Sequence, residues 1–318
     1  MSEYLRYCMS SANWLFIRGV HALIGKYCTG HNKYGSKDLQ SVLDGNDAIY
    51  KGICSGKPFA CCRYGYVEID LAIMAWTNNK FGKPFPKKSA EFCDVFATDY
   101  GKKEGLLQFG EIMHDAGKRA DVLCLWDNMK MSDYYISQIP DVERKVIANA
   151  GCIEPFTREK PWTRALHGKK VLVINPFASV IETQYKEKRE KLFINPDVLP
   201  EFHLETMDSI WYSQAGKDER FRTWFEAYDY LFDEALKRDF DIALLGCGLF
   251  GFPLAARLKS AGKQAVHMGS ASQLLFGITG KRWQESGGLA KVVNENWVTP
   301  PKALAPSNPE KLDNCCYW

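Results

Sequence analysis

The stretch from Asp241 to Gly269 constrains the fold more than any other part of the sequence. It contains the apolar run Ile242–Leu245, a glycine-rich turn, a helical segment that stops at Gly262, and a second apolar run at Gln264–His267. Short apolar runs that alternate with helices favour parallel strands joined by right-handed crossovers. The sequence therefore predicts an α/β domain with a ligand site at the turn.

Other segments of the chain continue this alternation. Apolar runs predict strands at 58–62, 121–126 and 171–174, and helical patterns cover 38–54, 87–98, 103–117, 180–193 and 221–237. Ser179 and Glu182 have the spacing of a capping box, which predicts the start of the helix at 180–193. We expect a Rossmann-like parallel sheet flanked by helices over 46–298, an N-terminal helical extension over 1–45 and a C-terminal surface tail over 299–318.

Composition excludes several classes of protein. The 41 basic and 38 acidic residues leave a formal charge of +3, too even a balance for a nucleic-acid-binding face. The 11 cysteines include no Cys-x-x-Cys pair, so we expect free thiols in a reducing compartment. No secretory signal and no apolar run of the roughly 18–20 residues that cross a bilayer is present, which predicts a cytoplasmic protein.

Residues 1–30 carry an apolar, lightly basic pattern that includes Trp14 and Ile24. Two interpretations are open. An amphipathic helix could lie on the inner face of a membrane as a peripheral contact. A helix could instead pack on its own domain or on a partner subunit of a homo-oligomer. We favour the packed helix.

Gly246, Gly248 and Gly251 form a G-x-G-x-x-G turn between a strand and a helix. Glycines there let the backbone approach a phosphate, and the following helix offers unpaired N–H groups. The glycines could also serve only close packing of helix on strand. A nicotinamide site expects an acid at the end of the next strand. The chain has His267 to Ser270 there, so we expect no NAD.

Residues after the second strand could complete a ligand site. His267 ends that strand, at the edge where open α/β sheets bind ligands, and Gly269 and Gln273 follow it. Lys281 and Arg282 add two cations that could pair with a diphosphate, although a solvated basic turn is just as common.

Three segments carry a resemblance to a known family. They are 241–259, 262–283 and 161–185, the last including Pro161-Trp162 and Gly168-Lys-Lys-Val-Leu-Val-Ile-Asn-Pro-Phe177. These resemble the GT-D-type bacterial glycosyltransferases. The resemblance implies a Rossmann-like domain that transfers a sugar from a nucleotide-sugar donor, typically a UDP-sugar, to a growing glycan or lipid-linked acceptor in surface polysaccharide or glycoprotein synthesis.

The family signature Arg-Phe-Gly-Asp-Gly-Glu corresponds here to the run from Arg63 through Gly65 and Tyr66 to Glu68. The resemblance implies that the Asp-x-Glu pair serves a divalent metal, Mn or Mg, and the donor diphosphate. Tyr66 replaces the first acid, and one carboxylate leaves most of the coordination to phosphate and water. Glu68 is therefore expected as catalytic base or metal ligand, and Arg63 could bind phosphate or pair with Glu68.

Three functional hypotheses follow. The leading one is a glycosyltransferase of the hexosyltransferase type, with Glu68 and His267 catalytic. Its donor-binding residues would be Arg63, Gly65, Gly246, Gly248, Gly251, Gly269, Gln273, Lys281 and Arg282. The second is a nucleotide-dependent oxidoreductase that uses the glycine turn. The third is a catalytically inactive family member with a scaffolding role, which the tyrosine at 66 favours.

Overall fold

A computed structural model describes residues 2–9, 11–12, 33–34, 37–126, 132–286, 289, 291–312, 315 and 317. The strands are β1 Lys33–Tyr34, β2 Lys37–Asp38, β3 Phe59–Arg63, β4 Val122–Leu125, β5 Val146–Asn149, β6 Lys170–Asn175, β7 His203–Asp208, β8 Tyr212–Ser213, β9 Gly216–Lys217, β10 Ile242–Leu245 and β11 Gln264–His267. The helices are α1 at residues 3–9, α2 Val42–Cys54, α3 Tyr66–Phe81, α4 Ala90–Val95, α5 Lys102–Arg119, α6 Ser132–Ser137, α7 Ala178–Leu192, α8 Trp224–Leu236, α9 Gly251–Ser260, α10 Ala271–Leu275 and α11 Lys281–Ser286.

Seven strands form one sheet in the order β5-β4-β3-β11-β10-β6-β7, and every neighbouring pair is parallel. The central strands are buried along almost their whole length because helices cover both faces. This confirms the predicted α/β class with a parallel sheet flanked by helices. The strand bounds predicted for β10 and β11 are confirmed to the residue.

The two faces of the sheet carry different helices. Helices α3, α5 and α9 pack in one hydrophobic core, whereas α2 and α7 pack in the core on the other face. The helix after β10 and the helix after β6 therefore leave these adjacent strands on opposite sides of the sheet. Open α/β sheets bind ligands at such a switch point, outside the carboxyl ends of the strands.

The helix predicted at 180–193 begins earlier, at Ala178, so the predicted capping box is wrong. The cause lies in β6, whose last residue is Asn175. Its Oδ1 accepts a hydrogen bond of 2.9 Å from the Phe177 backbone N–H, which turns the chain into the helix before Ser179. Similarly, the helix predicted at 38–54 begins at Val42, after the N-cap Ser41.

Helix α1 packs on its own domain through aromatic and charged contacts. The Tyr7 and Phe81 ring centroids lie 5.5 Å apart, Lys83 Nζ lies 4.1 Å from the Tyr7 ring centroid, and Lys80 Nζ pairs with a Glu3 carboxylate oxygen at 2.9 Å. Most of the amphipathic stretch, 13–32, lies outside the described residues. Within the described part of the chain, no helix is long and apolar enough to span a membrane. The membrane contact, the homo-oligomer and the predicted domain bounds stay predictions.

Candidate active site

The first glycine of the turn, Gly246, follows β10 at the switch point. A side chain there would clash with Ser272 Oγ and approach Asn175 Nδ2. These two groups hydrogen-bond to each other at 2.8 Å, and Ser272 Oγ donates to the Gly269 carbonyl at 2.7 Å. Gly246 is therefore required by a polar network that joins the ends of β6, β10 and β11. No sequence motif points to Asn175 or Ser272.

The other two glycines of the turn have different roles. Gly251 begins α9, and a side chain there would clash with the His267 ring, so it serves helix-on-strand packing. Gly248 has φ +55°, which favours glycine, and a Cβ would meet nothing within 4 Å. Of the three glycines, Gly248 is the one that leaves open space for a ligand, and donor binding by the turn stays a prediction.

The His267 side chain is fully buried between α9 and the end of β3. Neither ring nitrogen makes a hydrogen bond of ordinary geometry with a described residue. Burial, and then the nearby charge of Arg63, lowers the pKa of His267 to about 3. The ring is therefore neutral, and this enclosure suits support of Arg63 better than contact with a substrate. The predicted catalytic role of His267 stays a prediction.

Arg63 ends β3 and joins two segments that are far apart in sequence. Gly269 has φ +58°, and a Cβ there would lie 2.8 Å from Arg63 Cζ. Glycine at 269 therefore lets the guanidinium lie against the backbone after β11. The Arg63 Nε atom is buried and has no hydrogen-bond partner in the described part of the chain. The structure thus brings together the predicted residues Arg63, Gly269 and His267.

Glu68 lies in the first turn of α3 and is 8% exposed. Its carboxylate folds back over Gly65, the N-cap residue, where a side chain would clash with it. Burial raises the pKa of Glu68, and the charge of Arg63 and a hydrogen bond from its own backbone N–H oppose that rise. Glu68 is thus a carboxyl held at a helix N-terminus beside an arginine, which suits a general base.

A second carboxyl, that of Glu154, lies close enough to Arg63 for its charge to act on it, and no sequence motif had pointed to this residue. It follows β5 and a short 3₁₀ helix at Ala150–Ile153. Burial raises the pKa of Glu154, and the charges of Arg63 and then Arg158 oppose that rise. The segment looked irregular in sequence, but an acid just beyond a parallel strand could have marked it.

Buried thiols fix the segment that carries Glu154. Cys152 Sγ lies 3.4 Å from Cys124 Sγ, which lies 3.5 Å from Cys61 Sγ. This chain of contacts ties the segment to β4 and β3. The cysteines that the structure describes are free thiols, as predicted.

Three further predicted residues contact other groups. Gln273 is 3% exposed, and its Nε2 donates to the Ile278 carbonyl at 3.4 Å. Lys281 and Arg282 lie exposed on α11, where Lys281 Nζ lies 3.8 Å from a Glu285 carboxylate oxygen. A donor-binding role for these three residues stays a prediction.

The divalent metal that the family resemblance implies does not fit the side chains around Glu68. The described residues contain no group of three or more histidine, cysteine, aspartate or glutamate side chains placed to hold a metal ion. Glu68 turns back onto Gly65, and Tyr66, at the position of the first acid, has a side chain 51% exposed at the helix start. Hard cations prefer several oxygen ligands, most often carboxylates.

The similarities between this chain and known proteins are similarities of fold only. No protein-family model and no curated protein matches the sequence. Among solved structures, the chain is similar to a selenomethionine-substituted structure of domain of unknown function 1792, at 14% identity, 78% coverage of this chain, 82% coverage of that one and a TM-score of 0.45.

A second similar structure is described as showing that this domain has a distinct glycosyltransferase fold, at 14% identity, 78% and 82% coverage and a TM-score of 0.40. A third is described as a new glycosyltransferase of the same domain from Streptococcus sanguinis, at 11% identity, 79% and 86% coverage and a TM-score of 0.38. At these scores the likenesses establish neither a shared family nor a shared activity.

Proposed function

We propose that the protein is a glycosyltransferase that moves a sugar, a hexose by expectation, from a nucleotide-sugar donor to a hydroxyl of a glycan or lipid-linked acceptor. The observation that carries the proposal is the contact between Arg63 and Gly269. It joins the Arg63–Glu68 signature to the segment at 262–283, both of which resemble glycosyltransferases, at the carboxyl edge of a parallel sheet. The charge of Arg63 also acts on the carboxyls of Glu68 and Glu154. A UDP-sugar is the expected donor.

The proposed mechanism uses the residues of this edge. The Glu68 carboxylate accepts the proton of the acceptor hydroxyl as that oxygen forms a bond to the anomeric carbon of the donor. The bond from that carbon to the diphosphate oxygen breaks, and its electron pair leaves with the nucleoside diphosphate. In this mechanism Arg63 stabilises the charge that develops on the departing phosphate.

The test is donor hydrolysis and transfer with a panel of nucleotide sugars. The wild-type protein is expected to release nucleoside diphosphate from at least one of them, and Glu68→Gln is expected to lose that activity while still binding the donor. Calorimetry that detects no donor or nucleoside diphosphate binding, with or without Mn²⁺, would contradict the proposal.

A binding protein without catalysis is the second candidate, and one observation favours it. Glu68 is nearly enclosed at the start of α3, where its carboxylate accepts a hydrogen bond from its own backbone N–H. A scaffolding relative would need that local bond but no base. The two candidates separate in one experiment, because a scaffold binds the nucleotide sugar tightly and shows no turnover with any glycan acceptor offered.

A further inference from the structure

We infer that a cavity at the end of β7 binds a sugar unit of the acceptor glycan, away from the hydroxyl that reacts. The cavity has a volume of about 300 Å³, at the lower end of the range of small-ligand sites. Its lining combines the aromatic Trp211 with the polar residues Ser209, Lys217 and Asp218. The inference rests on the proposed glycosyl transfer, and it specifies the acceptor as an oligosaccharide rather than a single sugar.

The cavity lies between two segments that are far apart in sequence and fixed to each other. One wall is the hairpin of β8 and β9, and the other is the C-terminal segment at 306–308. The Asn308 backbone N–H donates a hydrogen bond to the Ala215 carbonyl at 2.8 Å. A side chain at Gly216 would lie 3.2 Å from Pro306 Cβ, so glycine there lets the two walls approach. The walls are therefore held in place before a ligand binds.

The cavity is at the same edge of the sheet as Arg63 and Glu68. Ser209 directly follows β7, and its backbone N–H donates to the carbonyl of Asn175, the last residue of β6, at 3.3 Å. Four strand spacings of about 4.8 Å separate β3 from β7, so the ends of these strands lie roughly 19 Å apart. An acceptor that reaches from the cavity to Glu68 must therefore contain several sugar units.

The lining suits an uncharged sugar. Trp211 is half-buried and adds an apolar surface to the cavity, of the kind on which the C–H face of a sugar ring packs. The Asp218 carboxylate accepts hydrogen bonds of 2.6–3.0 Å from the Arg220 side chain, which hold it in place and lower its pKa. An ionised carboxylate accepts hydrogen bonds from sugar hydroxyls and repels phosphates. Lys217 Nζ donates to the Asp94 carbonyl at 2.7 Å, outside the cavity lining.

Calorimetry in the absence of donor tests the cavity. The probes are the linear tetrasaccharides of glucose, mannose, galactose and N-acetylglucosamine, with tetragalacturonate as the acidic probe, and at least one neutral probe is expected to bind. Trp211→Ala is expected to weaken that binding about tenfold, the effect of losing an aromatic contact, and Trp211→Phe should recover part of the loss. Tyr4→Ala is the matched control, since Tyr4 is an exposed aromatic residue that packs on Phe81, at the end of α3 remote from Glu68.

The acceptor role has a kinetic test. The tetrasaccharide that binds and its own monosaccharide are compared as acceptors. Trp211→Ala should reduce kcat/KM for the tetrasaccharide about tenfold relative to kcat/KM for the monosaccharide, through KM rather than kcat. A role of Trp211 in stability alone would change the two values equally.

Each outcome has one meaning. Failure of all the probes to bind, binding of tetragalacturonate alone, or unchanged affinity of Trp211→Ala for a neutral tetrasaccharide would overturn the cavity site and leave the proposed transfer standing. Saccharide binding without nucleotide-sugar binding or turnover would remove the proposed function, and the acceptor role with it. If Trp211→Ala does not fold, Asp218→Asn decides, since loss of the ionised acceptor should weaken neutral-saccharide binding several-fold.

Discussion

Two parts of the same sheet edge differ in how their polar groups are satisfied. At the ends of β6 and β11, Asn175, Ser272 and the Gly269 carbonyl are joined by hydrogen bonds of 2.7–2.8 Å. At the end of β3, the buried Nε atom of Arg63 has no hydrogen-bond partner among the described residues. The first group, which we call the frame, satisfies its own hydrogen bonds, whereas Arg63 has a donor that a ligand could satisfy. The glycine turn is the clearest motif in the sequence, yet it belongs largely to the frame.

The largest expected effect is a loss of activity without a loss of stability. Glu68→Gln should reduce turnover by about a hundredfold to ten-thousandfold, the usual contribution of a general base. Thermal unfolding should show no loss of stability, because burial already disfavours the charged carboxylate. Glu182→Gln on the exposed face of α7 is the control. Equal activity of both variants would show that Glu68 has only a structural role at the start of α3.

Variants of the frame are expected to lose stability and to keep their ligand affinity. Gly246→Ala forces a methyl group onto Ser272 and Asn175, which should lower the free energy of unfolding by about 1–3 kcal/mol. Urea denaturation measures this change. Ser272→Ala alone should cost about 1 kcal/mol through its lost hydrogen bonds.

The double variant Gly246→Ala/Ser272→Ala should cost less than the sum of the two, because the second change removes the atom that clashes. Strict additivity would mean that the two residues do not interact in solution. Diphosphate affinity of the folded fraction should stay near the wild-type value in all three variants, if the frame and the site around Arg63 are independent.

A smaller effect is expected at Gly248. Gly248→Ala meets no neighbouring atom, so its cost should come from the left-handed backbone alone, about 1 kcal/mol of unfolding free energy. Diphosphate calorimetry on this variant measures whether the open turn contacts the ligand. Unchanged affinity would restrict the site to the β3 and β5 side of the edge.

The smallest expected effect is a pH dependence of stability. The raised pKa of Glu68 means that the folded state binds this proton more tightly than the unfolded state. The protonated carboxyl therefore stabilises the fold below the ordinary pKa of glutamate, about 4.3. That contribution is lost as the pH rises through the higher folded-state pKa.

As the pH rises from the ordinary glutamate pKa through the raised pKa of Glu68, the free energy of unfolding of the wild type should therefore fall relative to that of Glu68→Gln. Denaturation curves at a series of pH values measure it. A constant difference across the series would contradict the raised pKa, and an opposite trend would mean that Arg63 lowers it instead.

Sequence patterns predicted the sheet well where burial alone decides structure. Strands β10 and β11 are apolar runs buried on both faces, and no other structure suits such short runs between helices. The helix at Ala178–Leu192 was misplaced because the side chain of Asn175, a tertiary partner of Ser272, also sets where that helix starts.

The site was predicted only in part for a similar reason. Arg63, Glu68 and Gly269 were named from motifs, but their contact depends on β3 pairing with β11, which no local pattern reveals. Glu154 was missed because a buried row of thiols, rather than a regular helix or strand, holds its segment. The hydrophobic periodicity of a sequence does not reveal tertiary contacts of that kind.

The pairing of β3 with β11 also orders events during synthesis. The ribosome makes Arg63 early and Gly269 late, so a growing chain holds β3, β4 and β5 before their central neighbour exists. Until β11 arrives, the edge of β3 is an unpaired strand edge of the kind that promotes aggregation. Nascent chains that stop before β11 should therefore be clients of chaperones, and the proposed nucleotide binding should appear only once β11 has been made.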